Sequence, residues 1–550
     1  NDHSFSILKF YAARIRRIIP ALLILVILLI TFGYFLISPI LYRNLANEAV
    51  RSLLFVSNFL YWHDSGYFDA NAFSKPLLHT WSLSVEWQFY IIYPVVLAVL
   101  AKICSMSTLK KIIIAITLIS LGFTVYFSYQ SPVASYFLLP TRIWEMLLGG
   151  LIFLYPFKLT KTSHQYILEI LGIILIILSM FIISENTIWP GYMALLPTLG
   201  AFILMQANSS SILTNNIIFQ KIGLWSYSLY LYHWLIVFIN HRYNLDMNVW
   251  AFFALSFVLA ILSYYLIESR KWKVKYIIIA LFITLIPTYG IYKTKGASFR
   301  VMGKHVLTSA EFHYLYYGGG DFTVDKVAFT SSDKNFDYVM IGDSFARQYV
   351  KYLINNNIKA QTWFVNACLF MPEYIPIFKG QELEACSSLV NQFDQKALKN
   401  NSKPLIWAQN WPYNTITDKN GNFTGLTINQ NPEQYYDAIL QGIQNMIQRN
   451  GHRNIYIIGD YSRPPYNVYE CLSSKNLSLF SHSSCDEFKP PQSIPFNEQI
   501  KKLTEAYPNA YFISPDDGFC DERGCRMIIN DEPMYSDEGH LSIYGADIVG

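Results

Sequence analysis

The chain has 550 residues, of which 53% are hydrophobic and only 15% are charged, and its formal net charge is +4. This length predicts at least two domains. Soluble chains carry about a quarter charged residues, so the deficit indicates segments buried in lipid, where ionised groups are costly. The net charge is small and the sequence contains no basic tract, which argues against nucleic acid as a partner.

Long apolar runs fill the first half of the chain. The first, at 18–39, is long enough to cross a bilayer. Eight more follow at 86–103, 111–128, 143–155, 166–184, 190–206, 225–240, 249–267 and 275–292. They predict a polytopic α-helical membrane bundle. No cleavable signal is predicted, because no small-residue cleavage pattern follows the first run.

Basic residues between these runs predict the orientation of the bundle. If the spans alternate, one side receives Arg14, Arg16, Arg17, Lys110, Lys111, Lys158, Lys161, Lys221, Arg270, Lys271, Lys273 and Lys275. The positive-inside rule assigns that side to the cytoplasm. An odd number of crossings then places everything after about residue 293 outside the cytoplasm.

The pattern of hydrophobic residues changes from Phe336 onward. Short apolar runs at 337–341, 361–365, 404–408, 454–458 and 509–513 alternate with helical stretches near 344–356 and 433–449. This alternation predicts an α/β domain with a parallel sheet and helices on both faces. We therefore divide the chain into a membrane domain at 1–292, a connector at 293–335 and a soluble domain at 336–550.

Six of the seven cysteines fall in the soluble part of the sequence. An even set confined there predicts disulfides and an oxidising compartment. The simplest pairing joins neighbours, 368–386, 471–485 and 520–525. Zinc is the alternative, but the close C-x-x-C pairs typical of zinc sites are absent from the sequence.

A candidate nucleophile stands at Ser344, directly after the first predicted strand, in Gly342-Asp343-Ser344. A serine hydroxyl needs a base, and Asp537 and His540 lie three residues apart near the end of the chain. A carboxylate beside an imidazole beside a serine is the arrangement of a catalytic triad. Either motif alone has a plainer explanation, since such a serine commonly caps a helix.

These motifs, in this order, resemble the SGNH (GDSL-like) hydrolase family. The resemblance implies a doubly wound α/β fold in which Ser344, Asp537 and His540 form the triad. It also implies an oxyanion hole made by the serine N–H, a glycine N–H and an asparagine side chain. Asn410 is the candidate asparagine and Gln409 is its rival, while the glycine donor has no evident match in 361–372.

Several sequence blocks in the membrane half resemble the membrane acyltransferase family three: FYAARIRRIIPALL, PLLHTWSLSVEWQFY, LPTRIWEMLLG, WPGYMALLPTLGA and SYSLYLYHW. The resemblance implies that Arg14 and Arg17 grip the phosphates of an acyl-CoA, although such residues also anchor a bundle by charge alone. It implies that Glu86 and Arg142 line a polar core. Glu145 is three residues from Arg142, which predicts an ion pair.

The sequence also departs from that family. The first two spans of the family, with the histidine implied in the membrane step, would lie upstream of Asn1, so we expect both ends of the sequence to be trimmed. Relatives often carry Glu, His and Pro where this chain has Trp87, Phe345 and Ser269. Phe345 matters most, because it adjoins the candidate nucleophile.

The two resemblances together imply a bacterial inner-membrane O-acetyltransferase with a periplasmic SGNH domain. It would take acetyl groups from acetyl-CoA, without a bound cofactor or metal, and modify a surface glycan such as O-antigen or lipopolysaccharide, or a lipid-linked oligosaccharide. A membrane-anchored esterase is an alternative, since it would use the same triad. A transporter or sensor with a degenerate outer domain is a second alternative.

Overall fold

The computed structural model describes residues 6–64, 72–159, 161–184, 187–243, 245–300, 307–378, 381–396, 402–412, 415–419, 425–428, 431–464, 468–474 and 486–550. The chain divides into two compact units. The first unit comprises Asn1–Tyr34 and Tyr42–Thr294, and the second unit comprises Phe35–Leu41 and Lys295–Gly550.

Every regular element among the described residues in the first half of the chain is a helix. Its α-helices are α1 (Ile7–Leu36), α2 (Pro39–Leu53), α3 (Ser57–Asp64), α4 (Thr80–Ile103), α5 (Met106–Gln130), α6 (Pro132–Phe137), α7 (Ile143–Leu154), α8 (Thr162–Ile182), α9 (Leu195–Ala207), α10 (Ile217–Arg242), α11 (Val249–Ser263) and α12 (Val274–Lys293). A π-helical turn at Tyr264–Glu268 continues α11.

Seven of the described helices are long and apolar enough to cross a membrane, and two shorter apolar helices, Ile143–Leu154 and Tyr192–Ala207, accompany them. Together they account for the predicted spans and confirm a polytopic helical bundle. Hydroxyl groups on these helices are satisfied locally, as lipid requires. Thr117, for example, donates to the Ile113 carbonyl at 2.7 Å.

Close packing of α8 on α9 depends on two glycines. A Cβ atom on Gly172 would lie 2.8 Å from the Gly200 carbonyl oxygen, and one on Gly200 would lie 2.9 Å from the Ile176 side chain. Small residues of this kind let apolar helices approach each other where no hydrophobic effect drives them together.

The second unit alternates helices with strands. Its helices are α13 (Ser309–Tyr316), α14 (Ser344–Arg347), α15 (Val350–Asn355), α16 (Glu384–Lys396), α17 (Pro432–Arg449), α18 (Val468–Ser474), α19 (Pro495–Glu505), α20 (Asp516–Phe519) and α21 (Ile543–Val549). Its strands are β1 (Val327–Phe329), β2 (Tyr338–Gly342), β3 (Ala360–Phe364), β4 (Tyr374–Phe378), β5 (Gln381–Glu382), β6 (Leu405–Ala408), β7 (Ile416–Asp418), β8 (Ile455–Ile458), β9 (Phe488–Lys489), β10 (Ala510–Ile513), β11 (Cys520–Asp521), β12 (Gly524–Arg526), β13 (Ile528–Ile529) and β14 (Glu532–Pro533).

A six-stranded sheet in the order β1-β3-β2-β6-β8-β10 forms the centre of the second unit. The pairs among β3, β2, β6, β8 and β10 are parallel, which confirms the predicted α/β architecture. The edge strand β1 is antiparallel to β3. It comes from the segment interpreted as a connector, 293–335, so part of that segment is built into the sheet.

Two of the predicted disulfides are present, Cys368–Cys386 and Cys520–Cys525. The third predicted pairing involves Cys485, which lies outside the described residues. Cys104 has a free thiol. The oxidised pairs are consistent with the extracytoplasmic compartment that the cysteine distribution predicts.

Candidate active site

The candidate nucleophile lies where β2 ends and α14 begins. Asp343 caps that helix by accepting a hydrogen bond from the Phe345 N–H at 2.9 Å. Ser344 is therefore not the cap, and the plainer explanation of its position does not apply. Gly342 has a φ of +139°, and a Cβ there would lie 1.7 Å from the Ala408 carbonyl oxygen. Only glycine fits this close approach of β2 to β6.

The structure brings Ser344, His540 and Asp537 together although 196 residues separate the first two. Ser344 Oγ lies 2.8 Å from His540 Nε2, and His540 Nδ1 lies 2.8 Å from Asp537 Oδ2. When Nδ1 carries the proton, Nε2 is free to accept the hydroxyl proton of Ser344. Serine and histidine are each only 8% exposed, so the pair works in a sheltered environment.

Four groups surround the Asp537 carboxylate. Its Oδ1 accepts hydrogen bonds from the backbone N–H groups of Gly539 at 2.8 Å and His540 at 2.6 Å. Its Oδ2 contacts His540 Nδ1 at 2.8 Å and His313 Nδ1 at 3.2 Å. Burial alone would raise the pKa of Asp537, but the hydrogen bonds and charge of His540 lower it well below the usual range. The carboxylate is thus ionised at any physiological pH.

The loop that carries His540 is tied to the segment after the serine. The Leu541 N–H donates to Gln348 Oε1 at 2.8 Å. The Tyr461 hydroxyl lies 2.7 Å from the Gly539 carbonyl oxygen and 3.1 Å from Gln348 Oε1. Gln348 and Tyr461 are both buried. These contacts fix the imidazole relative to Ser344.

The two candidate oxyanion residues, Gln409 and Asn410, have different surroundings in the structure. Gln409 is 3% exposed, and its Oε1 accepts hydrogen bonds from the Phe370 N–H at 3.0 Å and from Trp407 Nε1 at 3.1 Å. These two contacts fix the amide oxygen of Gln409, whereas its buried Nε2 has no hydrogen-bond partner among the residues that the structure describes. Asn410 is half-buried, and its N–H donates to the Asp343 carboxylate at 3.2 Å. Asn410 thus adjoins the turn that presents Ser344, which favours it over Gln409 as the candidate oxyanion residue.

Arg463 is a site residue that the sequence reasoning missed. It follows β8, on the edge of the sheet where parallel strands end and active sites form. Its Nη2 donates to Asn410 Oδ1 at 3.0 Å and to Asp460 Oδ1 at 2.9 Å. Its guanidinium carbon stands 5.0 Å from the Phe345 ring centroid. The Phe345 ring in turn lies 4.6 Å from the His540 ring.

Burial raises the pKa of Asp343 to about 6, although N–H groups of Phe345 and Asn410 oppose the shift. A carboxyl group whose pKa is higher in the folded state than in the unfolded chain stabilises the fold at pH values below its unfolded pKa. This contribution is lost as the pH rises toward 6. Asp343 therefore makes the turn less stable at neutral pH than at pH 4.

Two groups of described residues have metal-ligand character. In one, the ligand atoms of Asp516, Cys520 and Cys525 lie within 4.8 Å of one another, but the two thiols are joined as a disulfide. The other is His313, Asp537 and His540. Its nitrogen–oxygen separations of 2.8 and 3.2 Å are direct polar contacts, so we interpret it as an array of contacts centred on the carboxylate.

In the first unit, Arg14 and Glu86 both contact Tyr90. The Arg14 guanidinium carbon lies 4.7 Å from the Tyr90 ring centroid, and the Tyr90 hydroxyl donates to Glu86. Arg17, one helical turn after Arg14 on α1, interacts electrostatically with Glu268. The two predicted acyl-CoA arginines therefore share a helix face with acidic partners nearby.

Arg142 and Glu145 form the ion pair that their spacing predicts, with Nη2 and Oε2 3.1 Å apart. Both side chains are largely buried, at 17% and 24% exposure. The Arg142 guanidinium also lies 5.8 Å from the Trp81 ring centroid. A structural role as a packed ion pair accounts for these contacts.

Two protein-family descriptions match the chain. "Acyltransferase domain" matches residues 1–268, and "SGNH domain (fused to AT3 domains)" matches residues 315–550. The chain thus combines an acyltransferase domain with an SGNH domain of the kind that is fused to such domains. The second match contains Ser344, Asn410, Arg463, Asp537 and His540.

Curated relatives match a part of the chain. The peptidoglycan O-acetyltransferase OatA of Listeria monocytogenes is 29% identical over 49% of this chain and 47% of its own length. O-acetyltransferase OatA of Staphylococcus aureus is 32% identical over 43% of this chain and 42% of its own. The chain thus spans about half the length of these relatives. The periplasmic domain of a Salmonella Paratyphi A lipopolysaccharide acetyltransferase was also found, at 15% identity, a TM-score of 0.29 and coverage of 39% of this chain and 81% of that one.

Proposed function

We propose that the chain is an O-acetyltransferase that moves an acetyl group from cytoplasmic acetyl-CoA to a hydroxyl of a cell-envelope glycan outside the bacterial inner membrane. The observation that carries this proposal is the aligned Ser344–His540–Asp537 array in a chain that also has acyltransferase-family membrane helices. Acetyl-CoA is charged and does not cross a bilayer. In this proposal a single polypeptide has domains on both sides of the membrane, so the acetyl group reaches the glycan although acetyl-CoA stays in the cytoplasm.

The first chemical step acetylates the serine. Ser344 Oγ attacks the carbonyl carbon of the acetyl donor as its proton passes to His540 Nε2. The tetrahedral intermediate collapses, the leaving group departs with the proton from His540, and acetyl-Ser344 remains. The ionised Asp537 stabilises the imidazolium that forms between these events.

The second step transfers the acetyl group. A glycan hydroxyl attacks the carbonyl carbon of acetyl-Ser344 while His540 accepts its proton. The bond to Ser344 Oγ then breaks, and Oγ regains the proton. In both steps the carbonyl oxygen becomes negatively charged, and donors fixed in advance lower the barrier. We assign one such donor to the Asn410 side-chain NH₂.

Arg463 supports that assignment, because arginine can only donate hydrogen bonds. The atom of Asn410 that faces it must be the carboxamide oxygen. The NH₂ group is then turned away from Arg463 and available to the substrate. Since one guanidinium nitrogen bonds both Asn410 and Asp460, the amide cannot flip without breaking a partly buried charge-assisted contact.

We expect Arg463→Met to reduce the rate of acetyl-ester hydrolysis by about 10- to 100-fold, somewhat less than loss of a whole oxyanion donor. The double variant with Asn410→Ala should be no slower than Asn410→Ala alone, because the arginine acts through the amide. Arg523→Met, at an exposed arginine, is the matched control. Additive losses in the double variant would contradict the orienting role.

Arg14 and Arg17 distinguish a transferase from a membrane-anchored esterase, which has no use for an acyl-CoA site. Their guanidinium groups suit the phosphates of an acyl-CoA. The Arg14→Ala/Arg17→Ala double variant should lower glycan O-acetylation by at least about 10-fold. Its Ser344 should still react normally with a fluorophosphonate probe, because the soluble domain is unchanged.

Mass spectrometry of envelope glycans from cells with each variant gives the measurement. Peptidoglycan and O-antigen are analysed separately, since the name of the Listeria relative contains the first and the family resemblances of the sequence imply the second. Arg16→Ala, at an exposed neighbour on α1, is the control for lost positive charge. Unchanged acetylation in the double variant would overturn the donor assignment and favour the esterase.

A further inference from the structure

The connector contributes a second histidine to the catalytic centre. His313 lies on α13, two residues before the part of the chain that matches the SGNH description begins. Its Nδ1 stands 3.2 Å from Asp537 Oδ2, the same oxygen that His540 Nδ1 contacts at 2.8 Å. The His313 ring centroid is 5.6 Å from that of His540.

The contact is built into the fold. The His313 Nδ1 atom is buried and makes no aligned hydrogen bond with any residue that the structure describes. Its contact with Asp537 Oδ2 at 3.2 Å is an ion-pair contact. The ring stacks on Tyr317 at 4.7 Å, and the Tyr317 hydroxyl donates to the Ser344 carbonyl oxygen at 2.6 Å. Arg347 contacts that hydroxyl at 3.3 Å. The segment that carries His313 is thus attached to the nucleophile turn as well.

Two glycines allow this attachment. A Cβ on Gly318 would lie 2.2 Å from the Gln348 carbonyl oxygen, and one on Gly319 would lie 2.8 Å from the Arg347 side chain. The chain after α13 can therefore press against the helices that follow Ser344. Such close approach keeps His313 at a fixed distance from the triad.

We propose that His313 is a positioning residue for Asp537. It holds and polarises the Asp537 carboxylate through Oδ2, the oxygen that His540 also contacts. This inference rests on the proposed function, because it assigns His313 a role through the same triad. A carboxylate is a stronger acceptor than a neutral group, so the tautomer with the proton on Nδ1 is the one that fits this contact. In that form His313 shares the carboxylate with His540.

Several charges determine the ionisation of His313. Burial lowers its pKa, and the charges of His540 and Arg347 act in the same direction, whereas Asp537 and the Ser536 backbone oppose them. The ring is therefore neutral at pH 7 and above. The other titratable or charged groups that act on this cluster are Asp343, Arg463, Tyr317 and Glu538.

The expected effect on pH dependence has a definite sign. A polar N–H 3.2 Å from Asp537 Oδ2 offsets part of the negative charge that stabilises the His540 imidazolium. A proton on His313 at low pH would also repel that imidazolium. Removing the ring nitrogens therefore stabilises protonated His540, and a higher pH is needed to free it as a base. The acidic limb of the pH–rate profile should move toward alkaline pH.

The test is the rate at which a fluorophosphonate probe labels Ser344 in the full chain between pH 5 and pH 9. In H313F, a flat ring without N–H groups, we expect the acidic limb to shift by about half a pH unit or more. H313N retains an N–H near the Nδ1 position and should label within about threefold of the wild-type rate at pH 8. His452→Phe, at an exposed histidine before β8 on the opposite edge of the sheet, should change nothing.

The outcomes separate this inference from the proposed function. A wild-type protein that is labelled no faster than S344A would overturn the nucleophile itself. A labelled wild type whose acidic limb coincides with that of H313F would overturn the role of His313 alone, whatever the rate. If H313F does not fold, H313N is compared with H313Q, which carries its N–H beyond the Nδ1 position. Coincident limbs for both of these variants and the wild type would then overturn the inference.

Discussion

Replacing Ser344 with alanine is expected to abolish acetylation of the glycan, to less than about one part in a thousand of the wild-type level. The change deletes the hydroxyl that lies 2.8 Å from His540 Nε2 and leaves no other atom to carry the acetyl group. The fold should survive, because the side chain that caps α14 belongs to Asp343. Mass spectrometry of purified glycan, with thermal unfolding of the purified chain, measures both.

Ser493→Ala is the matched control for this change, because Ser493 is an exposed serine in the same unit. It should retain full acetylation and full reaction with a fluorophosphonate probe. Acetylation that persists in the folded S344A protein would mean that the acetyl group reaches the glycan without an acyl-enzyme at this position.

The second large effect is expected for Asp537→Asn, with a loss of about 10³- to 10⁴-fold in the rate of acetyl-ester hydrolysis at neutral pH. Both backbone N–H groups at Oδ1 require an acceptor there, which places the new NH₂ at the Oδ2 position. It would face His540 Nδ1 as a donor and force the proton to Nε2. In that tautomer the imidazole cannot accept the Ser344 proton.

The ionisation of Asp537 in the wild-type protein bears on this comparison. Because the pKa of Asp537 lies below its usual range, its contribution to stability is complete above about pH 4 and is lost only at more acidic pH. The wild-type protein should therefore keep an ionised Asp537 at every pH above about 4. Asp521→Asn, at an exposed ion pair with Arg523, is the control. A rate for D537N within tenfold of wild type would contradict the assigned role.

The main sheet could be read from the sequence because its central strands are buried on both faces. The predicted runs at 337–341, 361–365 and 404–408 agree with β2, β3 and β6 to within one residue at each end. Strand β1 was missed because it has only three residues, none of them fully buried. Such a strand has no periodic pattern and forms only because the edge of β3 is available.

The predicted helix at 344–356 is two helices in the structure, Ser344–Arg347 and Val350–Asn355. The sequence contains no glycine or proline that would signal this break. Tertiary contacts account for it: Gln348 is held by the His540 loop, and its carbonyl oxygen lies against Gly318. Local propensity cannot reveal a break imposed from elsewhere in the chain.

Part of the site was predictable because its members stand next to recognisable elements. Ser344 follows a strand, and Asp537 and His540 keep a fixed spacing. The choice between Asn410 and Gln409 was not predictable, since neighbouring residues after a strand point in opposite directions and only the register decides. His313 had no signal in the sequence, because its role depends on how α13 packs near Asp537. Arg463 could have been suspected from its position after β8.

The incorporation of β1 and α13 into the second unit has a practical consequence for anyone who wishes to isolate it. A fragment that starts at Phe336 would leave the hydrogen-bonding groups of β3 unpaired along one side. Exposed strands of this kind recruit other chains and promote aggregation. Such a fragment would also lose Tyr317 and the ring beside Asp537. Poor solubility and weak reactivity of that fragment would then reflect where it was cut rather than how the intact protein behaves.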